Sequence, residues 1–264
     1  MTDVIECDDL DEAIERYTNE LGYRLDMICP ADAPSEALLS IDGGVLRLCR
    51  SSKFMVQSSK SDHVPDLERG TLNLEPASGS EWIIGRAGME YRDLIPGRLG
   101  GKVIASHIRL TKGGEVPDYV HYHKIDFQVI YCKVGRIKVV YEDQGPPFWL
   151  ETGDCVLQPP EIRHRVLECT AGAEVIEVSM PAEHETWVEH EMELPNSNGD
   201  PQRKFGDQQF LRFQESLSEP LVGSGYVQRV VNPLDQKAWI SIYSFVDRDN
   251  NSRIGHSHTL VQLR

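Results

Sequence analysis

Basic residues are scarce in this sequence of 264 residues, and their scarcity limits the partners it can have. Lysine and arginine number 27 against 42 aspartate and glutamate residues, which gives a formal net charge of −15. Because contacts to phosphate groups require clustered lysine and arginine, nucleic acids and anionic membranes are not expected as partners. No apolar run approaches the length of a membrane span, and residues 1–6 lack a basic segment followed by an apolar one. We therefore expect a cytoplasmic protein.

Paired cysteines are missing as well. The six cysteines are scattered along the chain without a Cys-x-x-Cys pair, so neither a disulfide framework nor a structural zinc ribbon is expected. We interpret them as reduced, mostly buried thiols.

The first fifty residues predict a strand, a helix and three more strands. Asp9, with Glu12 three residues later, is typical of a capping box at the start of a helix, and Gly22 ends the helical pattern. Apolar residues recur between these points at helical spacing, namely at Leu10, Ala13, Ile14, Tyr17 and Leu21. The strands are predicted at short apolar runs bounded by turn signals, namely 3–7, 23–29, 37–41 and 45–49.

This order, with the wording of residues 11–25, resembles one βαβββ module of the glyoxalase/bleomycin-resistance/extradiol-dioxygenase superfamily, over residues 1–50 only. The resemblance implies a site between two paired modules, with a histidine ligand on the first strand and a glutamate ligand on the last. Here the first strand carries Glu6, and the last strand carries no ligand. We interpret the module as a packing element or a dimerisation element of a homodimer, with an active half-site as the alternative.

Residues 51–80 are rich in serine, charge and proline, which is typical of a linker. We therefore predict a module over 1–50, a linker over 51–80, a second domain over 81–193 and a C-terminal segment over 194–264. The second domain contains many short β-type runs without helices between them, at 102–110, 127–133, 136–142, 147–150, 155–158, 164–168 and 174–179. Such a pattern predicts a closed or sandwiched antiparallel β fold.

Three histidines of this domain suggest a metal site. His121 and His123 are separated by one residue, so on a strand their side chains point to the same face and can hold one ion. His164 follows the rigid Pro159-Pro160 pair and would complete a nitrogen-rich site for zinc, iron, nickel or copper.

The spacing of these residues resembles the two signature motifs of the cupin superfamily over residues 81–190. The corresponding positions are Gly114, His121, His123, Gln128 and Gly135 for the first motif, and Gly153, Pro159 and His164 for the second. The resemblance implies a mainly β fold, in which a double-stranded β-helix, or jelly-roll barrel, follows the small α+β module. It also implies a divalent metal cofactor (Fe, Zn, Ni, Mn or Cu) held by His121, His123, Gln128 and His164.

The fourth ligand departs from the family pattern. Gln128 stands where the family usually has glutamate, so its amide oxygen can coordinate without adding negative charge, and the site would favour an anionic ligand. Asp126 is the alternative carboxylate. Because Gln128 is an odd number of residues from both histidines of the pair, the chain must break near Lys124 and Asp126 to bring it to the same site. Glu161 and Glu168 occupy the later Gly and Asn positions of the second motif.

The remaining histidines considered, His63, His107, His184 and His190, are assigned structural roles. Arg163 and Arg165 flank His164 and should point away from it, as salt-bridge residues.

The segment 194–264 is predicted to contain a partial second cupin-like repeat, over residues 224–264. The repeated elements are Lys102, Ser106 and the pair His121 and His123, which recur with the same offsets as Lys237, Ser241 and the pair His256 and His258. The second unit, with Gln262 loosely placed, has no second motif before Arg264. Either it is truncated, or its strands join the first barrel or a partner chain; since free strand edges are unfavourable, we predict that residues 224–264 pair with an existing sheet.

The cupin resemblance implies a metal-dependent enzyme of dioxygenase or lyase type. Its substrate would be a small organic molecule with a carboxylate or carbonyl group, and oxygenation, decarboxylation, isomerisation and lyase chemistry all stay open. One alternative is a non-catalytic small-molecule-binding or sensor protein, in which protein ligands would close off the metal. A barrel without metal is a third hypothesis.

Overall fold

The computed structural model describes residues 2–51, 81–196, 199–217, 220–223, 226–231, 240–246 and 257–263. Most of the predicted linker, including His63, lies outside the described residues. The protein is mainly β, as the sequence predicts. All six cysteines are free thiols, three of them buried. None of the helices in the described ranges has the length and apolar character needed to cross a bilayer.

The N-terminal module has the predicted order of elements. Its helix α1 (Leu10–Asn19) begins after Asp9, whose carboxylate accepts a hydrogen bond of 3.0 Å from the Glu12 backbone amide. The strands are β1 (Thr2–Cys7), β2 (Arg24–Cys29), β3 (Glu36–Ile41) and β4 (Gly44–Arg50). Leu10 of the helix is fully buried against apolar side chains of the sheet, and this burial fixes the helix on one sheet face. The resemblance to the glyoxalase superfamily stays a prediction.

The second region contains fifteen short strands. They are β5 (Ile83–Ile84), β6 (Glu90–Asp93), β7 (Ile104–Leu110), β8 (Gly114–Glu115), β9 (His121–His123), β10 (Phe127–Val134), β11 (Arg136–Tyr141), β12 (Phe148–Glu151), β13 (Cys155–Gln158), β14 (His164–Cys169), β15 (Ala173–Met180), β16 (Thr186–Val188), β17 (Lys204–Phe205), β18 (Gln208–Gln209) and β19 (Leu211–Phe213). Helical turns lie at Arg86–Gly88, Arg98–Gly101 and Glu215–Leu217. All seven predicted β runs are strands within a few residues of their predicted bounds.

These strands form a jelly-roll barrel from two facing sheets. One sheet has the order β1-β4-β3-β2-β16-β9-β14-β11-β12, with β8 paired to β14, and the other has the order β19-β13-β10-β15-β7-β6-β5. From β13 to β16 each strand lies in the sheet opposite to its predecessor, and β10 and β11 do the same. The chain therefore winds around a common interior.

The barrel core follows from the two-residue period of its strands. Ile137, Val139 and Tyr141 alternate along β11 and point inward, where they meet Ile108 of β7 and Val175 of β15 from the other sheet. Each fully buried side chain of this size contributes roughly 1.5–3 kcal/mol of hydrophobic free energy. The alternation therefore sets which side chains of each strand reach the interior.

The N-terminal module and the barrel share one continuous sheet. Strand β2 pairs antiparallel with β16, with Met27 opposite Trp187 and Ile28 opposite Thr186. Strand β16 in turn pairs with β9, so Thr186 lies opposite His123. The module thus extends the sheet that carries the histidine pair.

The C-terminal strands differ from the expectation. Strands β20 (Pro220–Gly223), β21 (Tyr226–Val231), β22 (Ile240–Val246) and β23 (Ser257–Leu263) form a four-stranded antiparallel sheet of their own. In the described part of this segment no strand is hydrogen-bonded into either large sheet, so the prediction that residues 224–264 extend an existing sheet is wrong for these strands. Strands that are adjacent in sequence pair with one another instead. This pairing satisfies their backbone hydrogen-bonding groups except along the two outer strand edges. Lys237 and His256 lie outside the described residues.

Glu161 provides a test of local backbone strain. Its φ is +60° in the turn before His164, at the position where the cupin motif has glycine, and its side chain is exposed. Because a side chain costs about 1 kcal/mol in the left-handed region, we expect Glu161→Gly to be neutral or stabilising by up to about 1 kcal/mol, and Glu161→Val to be destabilising. Urea unfolding measures both. The control is Glu151→Gly, on strand β12, which should destabilise; equal losses for the two glycine variants would contradict the interpretation.

Candidate metal centre

The three predicted histidines lie together inside the barrel. Strand β9 carries His121 and His123, and the neighbouring β14 carries His164, which is paired directly with His121. All three side chains are buried, and one ligand atom from each lies within 4.8 Å of the other two. Because the residues of the pair share one strand face and β14 lies beside β9, the sheet itself brings the rings to a common point.

Each of these imidazoles is held through its Nδ1 atom. His121 Nδ1 is 2.8 Å from the Tyr119 carbonyl oxygen, and His164 Nδ1 is 3.0 Å from the Ile162 carbonyl oxygen. A carbonyl can only accept, so both Nδ1 atoms carry the hydrogen and both Nε2 atoms keep a lone pair. His123 Nδ1 lies 2.8 Å from the Thr186 hydroxyl, which can accept in the same way.

The Nε2 atoms of these histidines fit a metal ion. His121 Nε2 is buried and has no hydrogen-bond partner among the described residues. A buried acceptor without a partner is costly unless a ligand satisfies it. Burial lowers the pKa of His121 and His123 well below the usual value and the pKa of His164 to about 3, so all three rings are neutral, as metal coordination requires.

The strand that carries the histidine pair ends before Gln128, as coordination by Gln128 requires. Strand β9 ends at His123 and β10 begins at Phe127 in the opposite sheet, so Gln128 faces the barrel interior despite its odd spacing. Asp126, the alternative carboxylate, is exposed and is not part of the histidine cluster. Gln128 is fully buried and stays the better candidate.

Gln158 links Gln128 to the cluster. Its Nε2 atom lies 2.6 Å from Gln128 Oε1 and 3.3 Å from His164 Nε2. The two glutamines are paired across β10 and β13, which explains their contact. Coordination by His164 would require the amide of Gln158 to give up its 3.3 Å contact. Gln158 was not predicted from the sequence, although its two-residue spacing from the core residue Val156 was a signal for an inward side chain.

Arg86 and Asp118 form a buried ion pair beside the cluster, and the sequence analysis missed both. Asp118 also accepts hydrogen bonds of 2.9 Å from the backbone amides of Tyr119 and Val166. Burial by itself lowers the pKa of the Arg86 guanidinium, but Asp118 and nearby groups outweigh this effect and raise the pKa above its usual value. Arg86 is therefore a fixed positive charge. Its Nε atom is buried and lacks a partner within the described ranges.

Two cavities border the cluster. The apolar cavity, of about 50 Å³, has mostly aliphatic walls and is also lined by His123, His164 and Tyr141. The polar cavity, of about 20 Å³, is lined by Asp32, Ser106 and His184, among others. Four side chains line both cavities, namely Arg86, Tyr91, His123 and Glu177. Glu177 lies on the inward face of β15 together with Ala173 and Val175. The two-residue spacing of these residues in the sequence therefore indicates that the Glu177 side chain points into the barrel.

The N-terminal module contributes to the polar cavity. Ala31 and Asp32, from the connection between β2 and β3, line its wall, and Asp32 is ion-paired with Arg98. The interpretation of the module as a packing or dimerisation element, with an active half-site as the alternative, stays a prediction. No pattern in the first fifty residues indicated this role for Asp32.

The histidines with predicted structural roles lie in different places. His107 is hydrogen-bonded to Glu174 and Arg92, and His190 to the Leu25 carbonyl. His184 differs, because its ring centroid lies 5.4 Å from that of His123 at the polar cavity.

The flanking arginines also differ from one another. Arg163 forms a salt bridge with Glu189, as predicted, and lies over the Tyr122 ring. The Nε atom of Arg165 is buried without a partner in the part of the chain that is described.

Comparisons with known proteins give only distant structural similarity. No protein-family model and no curated protein matches the chain. A single-residue variant of Bacillus subtilis oxalate decarboxylase is similar in structure at 15% identity, with 69% of this chain and 60% of that chain covered and a TM-score of 0.45. A deletion variant of the same protein gives 16% identity, the same coverage and a TM-score of 0.46. The chain thus spans 60% of the length of these structures.

Neutral buried imidazoles should make the metal-free protein sensitive to acid. Histidine in the unfolded chain takes up a proton near pH 6.5, but the pKa of His164 in the folded chain is about 3, so the free energy of unfolding falls as the pH decreases through this interval. Between about pH 7.5 and about pH 5 the loss from His164 is about 2 kcal/mol. Over the same pH interval the free energy of unfolding of the variant His164→Gln should fall by about 2 kcal/mol less than that of the wild type, as measured by urea unfolding. His190→Gln is the surface control, and equal losses for wild type and His164→Gln would contradict the prediction.

Proposed function

We propose that this chain is a metal-dependent enzyme of the cupin type that acts on a small organic molecule bearing a carboxylate or carbonyl group. The observation that carries the proposal is the buried His121 Nε2 atom, which has no partner in the described residues and lies among three imidazoles held through Nδ1. A structural cluster would have satisfied this atom with a protein donor.

His121, His123 and His164 would hold a divalent ion through Nε2, and Gln128 is the proposed fourth ligand through its amide oxygen. Fe, Zn, Ni, Mn and Cu all suit such donors, so availability would decide the ion. When bound, the ion would supply Lewis acidity toward a carboxylate or carbonyl oxygen.

The surrounding side chains have separate roles in the proposal. Arg86, fixed by Asp118, would orient the anionic end of the substrate. Glu177 lies in the wall shared by both cavities and would accept a proton from the substrate. The aliphatic walls would exclude water and strengthen both interactions. A carboxylate base beside a Lewis acid favours lyase or isomerase chemistry among the reaction types left open.

A non-catalytic binding or sensor protein is the second candidate, because both cavities are small and largely enclosed by protein. Turnover in the presence of the ion separates the two candidates. The cytoplasmic location, the homodimer and the domain limits at residues 50, 80 and 193 stay predictions.

Replacing a ligand tests the ion directly. His123→Ala should reduce the bound metal from one ion per chain to a small fraction, measured by elemental analysis of protein purified without an affinity tag, while circular dichroism keeps its β signature. His190→Ala, on the surface, should bind metal as the wild type does. Full metal content in His123→Ala, or none in the reconstituted wild type, would contradict the proposal.

The fourth ligand has its own test. Gln128→Leu should weaken metal binding by about tenfold, and Gln128→Glu should tighten it because a carboxylate neutralises part of the charge of the ion. Competition with a chromophoric chelator measures both affinities. Gln209→Leu, on β18 and outside the linings of both cavities, is the control. Unchanged affinity in Gln128→Leu would remove this residue from the ligand set.

A further inference from the structure

We propose that the substrate is a compact hydroxy monocarboxylic acid with a branched apolar group, rather than a dicarboxylic acid. This inference rests on the proposed function and adds the class of substrate. It is drawn from three features of the walls around the cluster, which are the aliphatic lining of one cavity, the charge balance and a buried acceptor atom.

The apolar cavity fits a small hydrocarbon group. Its aliphatic lining includes Met89, Ile108, Leu110, Val139 and Val175. A charged carboxylate placed there would lose its hydration without gaining a partner, whereas a branched alkyl group would gain about 0.8 kcal/mol for each buried CH₂. The cavity therefore selects a substrate with an apolar end.

The charges around the cluster favour a single negative charge on the substrate. An imidazole that coordinates an ion is neutral and Gln128 adds no charge, so the positive groups are a divalent ion and Arg86. Two carboxylates, Asp118 and Glu177, oppose them. Asp32 lines only the polar cavity and is ion-paired with Arg98, which also pairs with the partly exposed Asp93. One positive charge remains. A monocarboxylate balances it, while a dianion would leave a buried negative charge in excess.

The polar cavity contains a fixed acceptor. His184 Nδ1 lies 3.0 Å from the Pro181 carbonyl oxygen, so this atom carries the hydrogen and Nε2 keeps the lone pair. His184 is only 6% exposed, and its Nε2 atom is buried without a partner within the described segments. Because this atom can accept but not donate in the neutral ring, it fits a hydroxyl group of the ligand.

The three features meet at one wall. Arg86, His123 and Glu177 line both cavities, so a molecule with its carboxylate beside Arg86 reaches His184 on one side and the aliphatic wall on the other. A 2-hydroxy acid with a branched alkyl group has this arrangement over a few bonds.

Isothermal titration calorimetry of the full chain, loaded with manganese, tests the inference with four probes. We expect 2-hydroxy-3-methylbutanoate to bind at least tenfold more tightly than glycolate, which lacks the branch, and about fivefold more tightly than 3-methylbutanoate, which lacks the hydroxyl. Oxalate should bind at least tenfold more weakly than 2-hydroxy-3-methylbutanoate. Oxalate or glycolate binding as tightly as the branched hydroxy acid would overturn the inference.

Two variants assign the preference to its source. His184→Phe should remove the fivefold preference for the hydroxyl, with His190→Phe as the matched surface control. Val139→Thr, which keeps the volume but adds a hydroxyl group, should reduce the preference for the branch over glycolate several-fold. Each result is a ratio of affinities within one variant, so partial unfolding does not imitate it. Unchanged ratios in both variants would overturn the inference.

Failure of the proposed function would look different. Elemental analysis reports the metal in each sample, and the titrations are repeated on metal-free protein. Selective binding of the branched hydroxy acid without any metal would support the substrate class and contradict the metal-dependent enzyme. Metal binding at full stoichiometry without selectivity would overturn the substrate class alone.

Discussion

Hydrogen bonds to the Nδ1 atoms of three histidines are the interactions on which the site depends. Two backbone carbonyls and one threonine hydroxyl bind these atoms, which leaves the Nε2 atoms as the ring nitrogens available to a ligand. Without the bonds the rings could turn, and burial would favour an arrangement that satisfies every nitrogen within the protein. The observed arrangement leaves His121 Nε2 without a partner among the described residues, and a bound ligand would satisfy it.

The pairing of strand β9 with its two neighbours explains how so short a strand holds the two histidines in place. Strand β9 has three residues and is flanked by β14 and β16. Strand β14 supplies His164, and β16 supplies Thr186, which holds His123. Because β16 is itself paired to β2, the N-terminal module supports the histidine pair from the outer side of the sheet. Module and barrel thus act together at the site, although the sequence places them far apart.

Much of the fold could be predicted from local patterns. The Asp9 cap, the N-terminal element order and the barrel strands all follow from spacing, because caps and two-residue periods are properties of a few neighbouring residues. The pair His121 and His123 could be found for the same reason. A break in the strand before Gln128 could be predicted because Gln128 is an odd number of residues from both histidines. In the structure the break lies between His123 and Phe127.

The parts that could not be predicted depend on contacts between distant segments. Arg86 lies in a turn after the predicted linker, and nothing in its sequence neighbourhood indicates an ion pair with Asp118 beside the histidines. His184 has one satisfied and one unsatisfied nitrogen only because of the fold around Pro181. The C-terminal strands were predicted wrongly because the argument about strand edges did not consider that they pair with one another.

The continuity of the ten-stranded sheet has a practical consequence for anyone who wishes to shorten this protein. A cut at the compositional boundary near residue 80 would keep all three metal-binding candidates and still damage their surroundings. Strand β16 would lose its partner β2 and expose an unpaired edge that promotes aggregation. The polar cavity would also lose the part of its wall that Asp32 forms. The shortest useful fragment for crystallisation or enzymology is therefore one that begins with the first strand.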